Sequence, residues 1–116
     1  MPRRDQHDAR LAREGTPPAF AAAAPNTTLA VVAVDVALSR TALQGVARAA
    51  TAAYHRRITP AGSRVDGDIV FALAPMAGPD ADAGQAEMLA VKALESAIER
   101  AVRLARGRDG VPGLAD

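Results

Sequence analysis

Two apolar runs, at residues 29–34 and 69–74, constrain the fold most, because each is short, apolar at every position and preceded by polar residues. Such runs are typical of strands that are covered on both faces rather than one. We therefore predict strands over residues 27–36 and 68–74. Pro75 and the Gly78-Pro79 turn end the second of them.

The segment between the runs predicts a helix. Ser39 suits its N-cap, because a serine hydroxyl accepts a hydrogen bond from a backbone N–H that has no partner in the first turn. The pattern stops near Arg57, before Pro60. The apolar positions that recur at helical spacing are Leu43, Val46 or Ala47, Ala50, and Ala53 or Tyr54.

A second helix is expected to begin near Asp82 and to stop at Gly107, a residue type common just past helix ends. Its apolar face is predicted from 3.6-residue spacing. The positions on that face are Val91, Leu94, Ile98, Ala101 or Val102, and Ala105.

The predicted order is strand, helix, strand, helix, which makes the fold class α/β. A strand–helix–strand connection is usually a parallel crossover. Both strands then start at the same edge of the sheet. Thr27 opens the first strand, and Asp66 and Asp68 open the second. We therefore expect these three residues to converge in space.

This fold is incomplete by itself. Two strands that are apolar on both faces cannot be covered by two helices, and both sheet edges stay open. The chain is expected to be part of a larger sheet, completed by another polypeptide or by copies of itself. The predicted division is a flexible tail at residues 1–25, an ordered portion at 26–106 and a flexible C-terminal tail at 107–116.

Composition excludes several classes of function. The chain has no Cys and two His, so neither a thiolate zinc site nor a His-rich metal site is expected, and no cofactor. Aromatic residues are 3% and net charge is +1, which argues against a nucleic-acid partner. No run reaches the roughly 18 apolar residues of a membrane helix. Arg3-Arg4 is followed by no apolar signal region, so the expected location is cytoplasmic.

Two polar motifs at the strand openings carry the functional argument. Cleavage between Asn26 and Thr27 would release a threonine with both a hydroxyl and its own α-amine, a known nucleophile–base combination. Taken singly, Asn26-Thr27-Thr28 is also an ordinary polar strand entry or an N-glycosylation pattern. Asp66-Gly67-Asp68 is likewise a common turn sequence.

Together, the two motifs resemble the C-terminal part of the L-aminopeptidase/D-esterase family of self-processing N-terminal-nucleophile hydrolases. The resemblance covers roughly residues 20–106. Thr27 precedes the two acids by 39 and 41 residues, which matches family members that cleave between Asn and Thr. The matching strings are Asn-Thr-Thr-Leu-Ala-Val-Val-Ala-Val-Asp at 26–35, Leu38-Ser39, and Val-Asp-Gly-Asp-Ile-Val-Phe-Ala-Leu-Ala at 65–74.

The resemblance implies a fold, a site and a partner. In that family a longer precursor cuts itself into an α chain and a small β chain that starts with the nucleophile. The two stay together in a four-layer αββα fold, of which this chain would supply the β-α-β-α half. Thr27 would then be the nucleophile, released by cleavage at Asn26–Thr27, with Asp66 and Asp68 as its partners.

Activity is expected to require an α-chain-like polypeptide, and the isolated chain is expected to be inactive. The substrate would be a peptide or a small amide or ester. Two alternatives stay open: a non-catalytic truncated remnant, and a small α/β oligomerising module.

Overall fold

The computed structural model describes residues 27–64 and 66–116. The elements follow in the order β1 (Leu29–Ala33), α1 (Arg40–Arg57), β2 (Ile69–Leu73) and α2 (Ala83–Arg103). This is the predicted order of an α/β chain. The expected tail at residues 1–25, the cleavage-site residue Asn26, and Val65 of the second motif lie outside the described residues.

The two strands form one parallel sheet whose register runs from Leu29 opposite Ile69 to Ala33 opposite Leu73. The predicted parallel crossover is therefore confirmed. The predicted strands, at 27–36 and 68–74, were too long at both ends. At the opening, the backbone N–H of Thr28 donates to a side chain instead of to the neighbouring strand. At the far end, one more bond, from Val34 N to Leu73 O (2.9 Å), ends the pairing.

The two faces of the sheet differ in cover. Val32 on one face is buried in a cluster that includes residues of both helices, and alternate residues beside it are partly buried. The opposite face is apolar but open, with exposed fractions from 47% to 66%. The sequence predicted strands that are apolar on both faces and that two helices cannot cover, and among the described residues only one face is covered. The open face consists of Leu29, Val31, Ile69, Phe71 and Leu73.

Helix α1 begins as predicted, with the Ser39 hydroxyl accepting from Ala42 N at 3.1 Å. The predicted buried face is confirmed at four positions, while Leu43 is only half-buried. The four are Val46, Ala50, Ala53 and Tyr54, and they form the centre of the core with Val32.

Helix α2 starts after Asp82, as predicted, and the Asp82 carboxylate accepts from Gly84 N at 2.9 Å. Its predicted apolar face was only partly right, because the buried residues are Ala86, Ala90 and Leu94. The two alanines let α2 approach α1 closely, which turns Val91 toward the margin, where it is half-buried. Helical spacing alone does not show which of two adjacent apolar stripes is buried when one of them consists of alanine.

The C-terminal residues fold back on the end of α2. Arg108 and Val111 exchange two backbone hydrogen bonds of 2.9 Å. The Asp116 carboxylate accepts from Gly107 N and Gly113 N, each at 2.8 Å. These bonds hold the part of the chain that was expected to be a flexible tail, and its mobility stays a prediction. Neither α1 nor α2, the helices that the structure describes, is long and apolar enough to cross a membrane.

Candidate active site

The parallel register brings the openings of β1 and β2 side by side. Thr28 O accepts from Ile69 N at 3.0 Å, and Thr28 N donates to Asp68 Oδ1 at 2.8 Å. Thr28 is therefore bonded to the side chain of a residue 40 positions away and to the backbone of the residue after it. The parallel crossover thus brings Asp68 beside the start of β1, as expected.

Thr27 lies exposed at this opening, with its side chain directly against Gly67. A Cβ atom added at Gly67 would stand 2.8 Å from Thr27 Oγ1 and 3.7 Å from Thr27 Cγ2. The first distance is closer than real Cβ contacts allow. The Gly67 backbone therefore forms one wall beside the Thr27 hydroxyl, and a glycine is the residue that leaves room for it.

Asp68 links three segments around the opening. Its Oδ1 accepts from Thr28 N, and its Oδ2 accepts from Gly62 N at 2.9 Å. These backbone donors, first Gly62 and then Thr28, hold the pKa of the Asp68 carboxyl below its usual range, aided by the Thr28 side chain and the charge of His55. Asp68 is therefore a carboxylate at neutral pH. It is bonded to Thr28, the residue that follows Thr27.

Asp66 has a different place from Asp68. Its Oδ2 accepts from Ser63 N at 3.0 Å and from Ser63 Oγ at 2.7 Å, and its own N–H donates to Ser63 O at 3.2 Å. These bonds close the turn that leads into β2. Of the two predicted acids, Asp68 is thus bonded to the residue next to Thr27, while Asp66 shapes the loop.

Tyr54 is part of this site, and sequence reasoning assigned it only to the core. It is 2% exposed, and its hydroxyl donates to Ile69 O at 2.8 Å, with Thr28 O at 3.3 Å. Burial raises the pKa of Tyr54, and the charge of Asp68 adds to the effect, so the phenol stays protonated. The available signal was a lone tyrosine on an otherwise alanine-rich helix face, because a buried phenol needs a partner.

A trough runs along the free side of β1, beneath α2. One part, of about 660 Å³, begins at Thr28 and Tyr54 and continues along Ile98 and Val102. A second part, of about 620 Å³, follows residues 31–36 and meets Leu89 of α2. Both parts are mostly apolar. Because of the trough and the open face of the sheet, β1, the strand that follows Thr27, is uncovered on two sides.

No group of three or more His, Asp or Glu side chains within residues 27–64 and 66–116 is arranged to hold a metal ion. The chemistry open to this site is that of a hydroxyl, a carboxylate and backbone N–H groups. Such groups are sufficient for acyl transfer when a base is close to the hydroxyl.

The family model described as "Peptidase family S58" matches residues 3–113, nearly the whole chain. The chain belongs to peptidase family S58. The resemblance to the L-aminopeptidase/D-esterase family, which rested on the strings at 26–35 and 65–74, is thereby confirmed.

The similar curated proteins are mycobacterial. An uncharacterized aminopeptidase of Mycobacterium leprae (strain TN) is 55% identical over 49 residues, covering 42% of this chain and 14% of that protein. Uncharacterized aminopeptidases of Mycobacterium bovis (strain ATCC BAA-935 / AF2122/97) and Mycobacterium tuberculosis (strain ATCC 25618 / H37Rv) are 51% identical over 49 residues, with the same coverage. The matched stretch is thus a small part of each relative. No solved structure matches the chain.

Proposed function

We propose that this S58 chain is the β-chain portion of a self-cleaving aminopeptidase or amidase with Thr27 as its N-terminal nucleophile. The observation that carries the proposal is the bonded junction of Thr28 and Asp68 beside the Thr27 hydroxyl. Family membership and the aminopeptidase names of the relatives support a peptidase activity.

The chemistry rests on the free threonine that cleavage would produce. An α-amino group has a reference pKa of about 7.7–8.0, so a useful fraction is neutral near pH 7–8. The Thr27 amine takes the proton of the Thr27 hydroxyl, directly or through one water, as that oxygen attacks the substrate carbonyl. The substrate C–N or C–O bond then breaks, the protonated Thr27 amine gives its proton to the departing amine or alcohol, and the acyl group remains on Thr27 Oγ1 as an ester that water hydrolyses.

Asp68 orients this reaction and does not act as its base. A carboxylate with a lowered pKa is a weak proton acceptor at neutral pH, but it stabilises a positive charge nearby. As the Thr27 amine takes up a proton, its attraction to the Asp68 carboxylate increases, which stabilises the charged amine. Asp66 contributes through the turn that it forms with Ser63.

Maturation begins with the same hydroxyl. Before cleavage the Thr27 nitrogen is part of the Asn26 peptide bond and cannot act as a base. Thr27 Oγ1 attacks the Asn26 carbonyl, the C–N bond breaks, the proton passes to the departing amine, and the resulting ester is hydrolysed. The products are a carboxylate at Asn26 and a free amine at Thr27.

An α-chain-like partner is part of the proposal, because β1, the strand that follows Thr27, is uncovered on one face and along its free edge. The open sheet face presents five large apolar residues, and the trough leaves the free edge of β1 accessible. A contiguous apolar surface of this kind is typical of an interface. We expect the isolated chain to self-associate and to bind a hydrophobic dye, and the partnered chain to do neither.

The test is hydrolysis of an aminoacyl anilide by the chain co-expressed with an α-chain-like partner. Thr27→Val keeps the shape of the side chain but removes the hydroxyl, so turnover should vanish. Thr51→Val makes the same change on α1, where the hydroxyl donates to Arg48 O, and should leave turnover near the wild-type rate. Equal activity of all three proteins would disprove the nucleophile assignment, and a complex that never hydrolyses the substrate would favour a non-catalytic remnant.

A further inference from the structure

The Tyr54 hydroxyl stands where the two strands begin, and the proposed chemistry does not use it. It lies 2.8 Å from Ile69 O and 3.3 Å from Thr28 O. A phenol has one proton, so the bond to Ile69 O is the main one and the contact to Thr28 O is weaker. The same Thr28 O also accepts from Ile69 N at 3.0 Å.

Thr28 is therefore fixed on both of its backbone groups. Its N–H donates to the Asp68 carboxylate. Its C=O accepts from Ile69 N and, at a longer distance, from the Tyr54 hydroxyl. The peptide unit that Thr28 N shares with Thr27 is the one next to the reacting side chain. Movement of Thr28 would therefore carry Thr27 Oγ1 with it.

The anchor for these bonds is rigid. The Tyr54 ring is in the core with Ala50 and Ala53, both of which are fully buried. The raised pKa of Tyr54 keeps its hydroxyl a donor through neutral and mildly alkaline pH. A hydroxyl on a packed ring gives a more precise hold than one on a mobile surface side chain.

We propose that Tyr54 is a positioning residue for the Thr27 nucleophile, acting through its hydroxyl on the backbone of Thr28 and Ile69. This rests on the proposed function, since it assigns Tyr54 a part in that reaction. Tyr54 touches neither substrate nor reacting atoms. Its effect comes from where it holds the strand opening, and a displacement of about 1 Å there can cost on the order of 10²-fold in rate.

The test compares Tyr54→Phe, which removes only the hydroxyl, with Val46→Ala, which weakens the same core on the same helix away from the opening. Both variants and the wild type are prepared as the partnered complex. The readouts are kcat and KM on an aminoacyl anilide, the pH–rate profile, and hydrogen exchange over residues 27–33.

For Tyr54→Phe we expect kcat to fall on the order of tenfold while KM changes by less than about twofold, since binding groups are untouched. The pH at half-maximal rate should stay unchanged, because Tyr54 is not the base. Exchange at the Thr28 amide should quicken by about tenfold, because the bond to Asp68 is less well supported. Val46→Ala should alter neither kcat nor exchange at Thr28 once the folded fraction is taken into account.

Other results overturn the proposal. An equal fall of kcat in both variants would reduce Tyr54 to a core residue. Faster exchange with wild-type kcat would mean that the hydroxyl holds the strand without positioning the nucleophile. If the wild-type complex has no activity, the proposed function fails. Unchanged hydrogen exchange at the Thr28 amide in Tyr54→Phe would separately disprove that the Tyr54 hydroxyl fixes Thr28.

Discussion

Substituting Gly67 by alanine should slow the chemistry of Thr27 without unfolding the chain. The new Cβ would stand 2.8 Å from Thr27 Oγ1, about 0.6 Å short of ordinary contact at 3.4 Å. The Gly67 backbone is outside the left-handed region, so alanine itself is tolerated there. The Thr27 side chain, which is exposed, must therefore rotate or move away from the Gly67 wall.

The two consequences differ in size. Alanine restricts the unfolded chain, which stabilises a compatible site by roughly 0.4–1 kcal/mol, and crowding of Thr27 offsets that gain. The free energy of unfolding should therefore change by less than about 1 kcal/mol. A displaced nucleophile costs far more in rate, on the order of 10²-fold when the reacting atom moves by about 1 Å.

The assay follows the appearance of the fragment 27–116 by intact mass, and then anilide turnover by the mature complex. Gly78→Ala is the matched control, because an added Cβ there meets Ala37 N at an ordinary 3.7 Å. Gly78→Ala should process and turn over as the wild type does. Wild-type rates for a folded Gly67→Ala protein would refute the placement of the Thr27 hydroxyl beside Gly67 as the reacting geometry.

Three further predictions follow from the site, the open face and the charges. Asp68→Asn should slow turnover on the order of 10²-fold and Asp66→Asn much less, since only Asp68 is bonded beside the nucleophile; equal losses in steady-state kinetics would contradict this. Phe71→Glu should prevent assembly with the partner in sedimentation experiments, whereas Met76→Glu, off the sheet, should not; unchanged assembly of Phe71→Glu would exclude the open face as the interface. Folding lowers the pKa of Asp68 and of Glu95. The two carboxylates therefore stabilise the fold above their unfolded pKa of about 4, and this stabilisation is lost as pH falls through the folded pKa. A Tm that stays constant from pH 5 to pH 2 would contradict this.

The sequence predicted the elements and their connection well, because local signals were strong. Ser39 and Asp82 are N-caps whose side-chain oxygens have a direct physical role, and both helices begin beside them. The alternation of strand and helix predicted a parallel crossover, which in turn predicted the meeting of Thr27 with the second motif. These predictions needed only sequence-local physics and the geometry of parallel strands.

Other features depended on packing between distant segments. The buried stripe of α2 runs through Ala86 and Ala90 because α1 lies close by, and composition gives no sign of that contact. The different partners of Asp66 and Asp68 depend on the loop at Gly62 and Ser63, whose path was not predictable. The role of the Tyr54 hydroxyl required knowing which carbonyls come within its reach.

The most direct test of the central claim is the mass of the chain after co-expression with an α-chain-like partner. If Thr27 is the nucleophile, intact-mass analysis should show a species that begins at Thr27 and ends at Asp116. The Thr27→Val protein should remain uncut under the same conditions. An active complex that contains only the uncut wild-type chain, or a Thr27→Val chain cut after Asn26, would contradict the account.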